Sequence, residues 1–442
     1  MTAHEKVGKL VDERREEIVE YLRDLVRIKS INPVFIESEP VEERQCQEFL
    51  AETLRGIGFS DIDLWEPDAE DLRRKYQGKP GYTANRKFEN RPNLVGRLPG
   101  SGGGRSIFLT GHIDVVGADA ETEDWKHDPF DPVIEDGMMY GRGSADMKGG
   151  VAAMMQAVRL IHEAGYRLKG DVLFGTVVDE ETGSMGMLSL VDRGYKADAG
   201  LMTEPTSNQL SLLCRGIIWG RIRVRGKSGH IEVFQPNEME GGAADGIEKG
   251  LRLLREIEVM NREWARRSDK RHPLLPRPNE INVSMIKAGQ HPSAYAEQFE
   301  ATVDIQYLPK ERDANGLGGN VKKEIEQRLN AVAAADPWMR EHPIEYDWFV
   351  DADCAEVGSD FALVPVLARH LETLGIPTTL GGVEAHTDMS LLTNNGTPTI
   401  TIGPGDVSAA HQTNEWIPLD QLIDGTKIIA WAIMDWCGYE EA

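Results

Sequence analysis

Cysteine is scarce in this chain of 442 residues, with only Cys46, Cys214, Cys354 and Cys437. They lie far apart and form no Cys-x-x-Cys pair, which argues against a disulfide frame or a zinc knuckle. Reduced thiols in the cytoplasm are the expectation. Long apolar runs are missing too, and none approaches the ~18 residues that a bilayer span requires. The polar start Met1-Thr2-Ala3-His4-Glu5-Lys6 leads into an amphipathic helix and does not read as a signal peptide. Basic residues are outnumbered, 49 against 73 acidic ones, for a net charge of −24. That surplus repels nucleic acid and anionic membranes, so neither is expected as a partner. No Gly-x-Ser-x-Gly elbow and no His-Glu-x-x-His occurs, so serine-hydrolase and zincin readings have no support. Gly226-Lys227-Ser228 suggests a phosphate loop, but that pattern needs glycine where Arg221 stands.

What is present is an alternation of apolar strands and helices. Helical spacing runs over 5–28 and is predicted again over 42–57, 151–164, 243–264, 319–335, 361–374 and 419–436. Buried strands are predicted at 93–97, 106–110, 171–178 and 397–402, and 73–91 reads as a loop. This order gives an α/β fold with a mostly parallel sheet. After Cys214 the pattern changes to a half-exposed strand at 217–224, with Arg221, Arg223 and Arg225 on one face. A β-α-β-β-α-β order follows, which suits a small split βαβ unit inserted into the larger one. The length also favours two domains. Residues 1–215 and 355–442 are assigned to the larger domain, and 216–354 to an inserted, ferredoxin-like lid.

The chemistry centres on Tyr140-Gly141-Arg142-Gly143-Ser144-Ala145-Asp146-Met147-Lys148-Gly149-Gly150. An aspartate in a glycine-rich turn before a helix is also what an ordinary N-cap looks like. Four more stretches change the weighing, because each sets an oxygen or imidazole ligand at a strand end. They are Thr110-Gly111-His112-Ile113-Asp114, Asp179-Glu180-Glu181-Thr182-Gly183, Thr203-Glu204-Pro205, and His411 after the Gly403-Pro404-Gly405 turn. In open α/β sheets the ligand crevice lies at the carboxyl ends of the strands. Two imidazoles and several carboxylates converging there suit paired divalent cations such as zinc, cobalt or manganese.

Together with Asn93-Leu94-Val95-Gly96-Arg97 and Trp125…Asp128-Pro129-Phe130, these stretches resemble the M20 metallopeptidase and deacylase family. The branch is that of acetylornithine deacetylase and succinyl-diaminopimelate desuccinylase. The resemblance implies a zinc-exopeptidase-like catalytic domain with an inserted lid that mediates homodimerisation, and two divalent metals, zinc foremost. His112 and Glu204 would hold one metal, Glu181 and His411 the other, and Asp146 would bridge them. Asp114 would fix the His112 ring, and Glu180 would be the general base on the attacking water. His230, in Lys227-Ser228-Gly229-His230, would stabilise the oxyanion, often from the other subunit.

Two departures stand out. Ser293 and Gln306 occupy the places where relatives carry an asparagine and an arginine that help hold the substrate, including its carboxylate. An amide does not replace a bidentate guanidinium clamp. The substrate therefore lacks the usual α-carboxylate, or another group holds it, with His386 in Glu384-Ala385-His386-Thr387-Asp388 as a candidate contact. The implied reaction is removal of a small acyl group from an amine. A dipeptidase or carboxypeptidase, a hydrolase acting on a ring compound, and a non-catalytic binding protein are the alternatives.

Overall fold

The computed structural model describes residues 1–35, 42–118 and 123–442. Among these residues the larger sheet has nine strands. Its centre runs Val172–Val177, Ile107–His112, Ala199–Met202, Thr399–Thr401, all parallel neighbours. Ser60–Trp65 and Asn93–Leu98 add antiparallel strands on one side. Ser211–Cys214 carries antiparallel Ala355–Glu356 and parallel Gly381–Val383 on the other. The predicted parallel sheet is thus its core, and its margins are antiparallel. The central strands are buried along their whole length, which is why they read as unbroken apolar runs.

The helix Gly149–Glu163 is apolar on nearly every side. It packs against Leu419–Cys437, itself almost wholly buried, in the same hydrophobic core as the central strands. Gly150 permits its position. A Cβ there would stand 1.9 Å from the Thr203 carbonyl oxygen, so only glycine lets the helix start this close to the strand end that carries Glu204.

A second sheet, of four strands, has the order Ile281–Ala288, Gln298–Tyr307, Gly216–Arg225, Glu345–Ala352 and is antiparallel throughout. Helices Gly246–Trp264 and Gly319–Ala334 cover one face and share a separate hydrophobic core with Ile218, Ile222 and Val224. The alternate residues Trp219, Arg221 and Arg223 point the other way, half-exposed. This is the β-α-β-β-α-β order read from the sequence.

Some predicted boundaries shift. The helix expected over 5–28 is two, Ala3–Glu13 and Arg15–Arg27. The backbone turns at Arg14, whose guanidinium ion-pairs with Glu163 at 2.6 Å. The expected loop 73–91 begins inside a helix, Ala69–Tyr76, started by Asp68 accepting from the Glu70 and Asp71 amides. Its charged surface and single buried apolar residue, Leu72, hide it from periodicity. No helix among the described residues is long and apolar enough to cross a membrane.

Candidate active site

The parallel strands deliver their ends to one place. His112 is the last residue of Ile107–His112, and Glu180 and Glu181 follow Val172–Val177. Glu204 follows Ala199–Met202, and His411 comes ten residues past Thr399–Thr401. Asp146 reaches them from the turn ahead of Gly149–Glu163.

Two sets of ligand atoms form there, and Asp146 belongs to both. His112, Asp146 and Glu204 make one, and Asp146, Glu181 and His411 the other, with the ligand atoms in each set within 4.8 Å of one another. The His112 Nε2 lies 3.1 Å from Asp146 Oδ1 and 3.9 Å from Glu204 Oε2. The His411 Nε2 lies 2.8 Å from Glu181 Oε2 and 3.4 Å from Asp146 Oδ2. Each oxygen of Asp146 therefore faces a different imidazole.

The electrostatics are those of a carboxylate nest short of positive charge. Burial drives the Glu204 and Glu180 carboxyls well above their ordinary range, against the pull of His112, with neighbouring carboxylates adding to the rise. Burial also raises Glu181, as does the charge on Asp146. Burial opposes ionisation of Asp146 as well, but hydrogen bonds to His112 and His411 outweigh it and hold that carboxyl low. Burial works to lower both imidazoles, yet the hydrogen bonds to Asp146 and Glu181 lift His411 to about 11. For His112 the Asp146 hydrogen bond and nearby carboxylates win in the same way. Buried carboxylates facing imidazole nitrogens, with few neutralising side chains, fit divalent cations of the zinc type.

Behind this cluster lies a supporting layer, of which the sequence pointed only to Asp114. Glu415 is buried and accepts four hydrogen bonds. Ala145 and Asp146 amides donate to its Oε1 at 2.9 and 3.0 Å, and the Gly143 amide and the Arg142 guanidinium to Oε2 at 3.0 and 2.8 Å. It thereby fixes the backbone that carries Asp146. Asp114 acts at two points. Its carbonyl oxygen lies 2.9 Å from His112 Nδ1, nearer than its carboxylate at 3.7 Å. Its carboxylate accepts from the Asn32 amide and from the backbone N–H of Glu180 and Glu181. Arg91, paired with Glu43, lies 3.5 Å from Asp179 and buttresses the same turn.

Glu180 points its carboxylate at the cluster, 4.0 Å from His112 Nε2. No hydrogen bond engages that carboxylate among the described residues. It also groups with His386 and Asp388. His386 is spoken for on both nitrogens, Nε2 by Ser184 Oγ and Nδ1 by the Asp353 carbonyl, each at 2.9 Å. Burial lowers its pKa to about 4, so the ring is neutral.

Three expected residues stay apart from the cluster within the chain. His230 is exposed on the smaller unit, where its Nδ1 accepts from the Glu232 amide. Ser293 is half-buried, its hydroxyl 2.9 Å from His291 Nδ1. Gln306 sits on Gln298–Tyr307 opposite Ile217.

The family model described as peptidase family M20/M25/M40 matches residues 108–435. The chain belongs to this family. Among its relatives is an N-formyl-4-amino-5-aminomethyl-2-methylpyrimidine deformylase of Halalkalibacterium halodurans, 33% identical over 396 residues, covering 85% of this chain and 90% of that protein. The Bacillus subtilis protein of the same description is 30% identical, covering 97% and 96%. A succinyl-diaminopimelate desuccinylase of Alkalilimnicola ehrlichii is 25% identical, covering 91% and 94%. In fold, the chain matches a di-peptidase from Saccharomyces cerevisiae with a TM-score of 0.76 at 15% identity, over 99% of both chains. The chain is accordingly an M20 hydrolase of amide bonds, dependent on divalent metal, that releases an amine from its acylated form.

Proposed function

We propose that the chain removes a formyl group from an aminomethyl-substituted heteroaromatic amine, using two zinc ions. The observation that carries the reading is the shared Asp146, with one imidazole on each of its oxygens. His112 and Glu204 would hold one ion, Glu181 and His411 the other, and Asp146 would belong to both. Cations bound there lower the pKa of water and polarise an amide carbonyl.

The chain's own groups do the rest. Glu180, whose carboxylate has no hydrogen bond among the described residues, takes the proton of the attacking water and passes it to the departing nitrogen. The amides of Glu180 and Glu181 are held by Asp114, so the turn presents one carboxylate to water and the next to metal. The neutral His386 ring keeps Ser184 in place beside Glu180 and contacts substrate only through its face. For the substrate class, the two deformylase relatives are one support. The other is the amide of Gln306 where an arginine would clamp an α-carboxylate.

Two units, 1–215 with 355–442 and 216–354, form catalytic and lid domains, and the lid pairs two copies. Its outermost strand Ile281–Ala288 exposes Val283, Met285 and Ile286, the kind of open edge that a second chain covers. Beside His230, the side chains Ile231, Val233 and Phe234 are also exposed, Phe234 by 90%. A segment so apolar supports delivery of His230 to the partner's site as oxyanion donor, and Ser293 sits near it.

The test is a panel of formylated aminomethyl heterocycles, acyl-amino acids and dipeptides given to chelated and zinc-reconstituted protein. Zinc-dependent release of amine from the formylated heterocycles, in preference to the α-carboxylated substrates, supports the reading. Preference for succinylated or α-carboxylated amides contradicts it.

A further inference from the structure

A cleft of about 660 Å³ opens between the larger unit and the bare face of the smaller sheet. Its walls include Phe35, Tyr82, Trp219 and Phe349, and Arg86 and Thr182 also line it. We propose that this cleft holds the planar ring of the departing amine and so selects aromatic over aliphatic substrates. The proposal rests on the hydrolytic reading above.

Position comes first. Thr182 directly follows Glu181, and the Arg86 guanidinium donates to its carbonyl oxygen while lying 3.4 Å from Asp179 Oδ2. One wall of the cleft is therefore tied to both flanks of the turn that carries Glu180 and Glu181. A ring lodged there lies against Thr182, next in the chain to Glu181.

The chemistry of the walls then narrows the occupant. Most of the charged groups that line the cleft are already paired. Asp347 meets Arg221 at 3.0 Å, Asp351 meets Lys322 at 2.6 Å, and Arg86 has Asp179. Lys79 is the exception, exposed with its ammonium 5.5 Å from the Tyr76 ring centroid, so the cleft carries one cation beside otherwise neutralised walls.

The aromatic groups still present surface to the cleft, although the Arg221 guanidinium lies over one face of Phe349 at 4.4 Å. The Trp219 indole N–H is satisfied by Asp304 at 2.9 Å, which leaves the ring face as what it offers. Trp219 and Phe349 stand 6.4 Å apart between centroids, inclined by 54°. Phe35 remains 43% exposed at the margin. Half-exposed rings around a concave space of this size are the usual lining of a small-molecule site, where pockets run from about 300 to 1,000 Å³. Flat faces among mostly neutralised charges suit a flat ring, for which offset or edge-on stacking is favourable.

The experiment compares N-formylbenzylamine with N-formylbutylamine on the zinc-reconstituted full chain, in wild type and in Trp219→Leu and Phe349→Leu. Aromatic contacts contribute roughly 0.5–1.5 kcal/mol beyond area. The ratio of kcat/KM for the benzyl over the butyl substrate should therefore fall about twofold to tenfold in each variant, through KM. Calorimetric titration of benzylamine and butylamine provides a second readout, in which the wild-type preference for benzylamine shrinks in both variants. Should neither formamide be hydrolysed, the hydrolytic reading fails and calorimetry alone decides the cleft. Equal affinity for the two amines in wild type, or a benzyl-to-butyl ratio untouched by both substitutions, overturns the proposal.

Discussion

Replacing Glu415 with glutamine keeps the shape of the side chain and removes its charge. In the native turn all four hydrogen bonds run toward the carboxylate, two onto each oxygen. An amide has one accepting end only. Whichever way it is turned, its NH2 faces two donors, either the Ala145 and Asp146 amides or the Gly143 amide and Arg142. Two buried donors left unmet cost about 2–6 kcal/mol together, and the Arg142 guanidinium, 3% exposed, makes the upper part of that range the expectation. The backbone of Asp146 loses its anchor at the same time, so zinc affinity should fall about 10–100-fold, as when outer partners of metal ligands are removed. Urea unfolding of metal-free protein reads the first quantity, and zinc titration against a competing chelator reads the second. A Glu415→Gln protein that unfolds at the wild-type urea concentration and binds zinc as tightly would refute the assignment of Glu415 as the anchor of this turn.

Other outcomes follow from the same geometry. Glu180→Gln should retain full metal content while kcat falls about 10²–10⁴-fold, the usual contribution of a general base; near-normal turnover removes Glu180 from that role. Inactive His230→Ala and Asp146→Ala proteins, unfolded and refolded together, should regain about a quarter of wild-type activity if His230 serves the partner, because half the dimers are mixed and one of their two sites is whole. No recovery counts against delivery across the dimer. His386 has a folded pKa of about 4, below its ordinary value near 6.5, so protonation favours the unfolded chain. The stability it confers is complete above pH 6.5 and is lost as pH falls toward 4, by up to about 3 kcal/mol. His386→Gln should flatten that part of the stability profile, and an imidazole resonance titrating near 6.5 in the folded protein contradicts the reasoning.

The strand ends were legible in the sequence because each buried strand is an unbroken apolar run that stops at a ligand-type residue. Val177 gives way to Asp179-Glu180-Glu181, and Met202 to Glu204. The Asp146 turn was legible through its glycines. What escaped reading was support supplied from far along the chain. Glu415 lies 269 residues from Asp146, and Arg91 meets Glu43 across 48, so no local pattern ties them together. Asn32, which donates to the Asp114 carboxylate across 82 residues, reads locally as a turn residue before Pro33. Short strands escaped for another reason. Val133–Glu135 and Met138–Tyr140 pair around a two-residue turn, with too few residues to set a period. Ser60–Trp65 is half-exposed and alternates weakly. His386, expected as a substrate contact, has both ring nitrogens engaged, by Ser184 and by the Asp353 carbonyl, which no local pattern around it announces.

The central claim is that one aspartate serves two cations. Metal content measured on the zinc-reconstituted chain, together with anomalous diffraction at the zinc edge, tests it most directly. The account predicts two ions per chain flanking Asp146, with both sites emptied or severely weakened in Asp146→Ala. One ion per chain, or two that persist unchanged after that substitution, would contradict it.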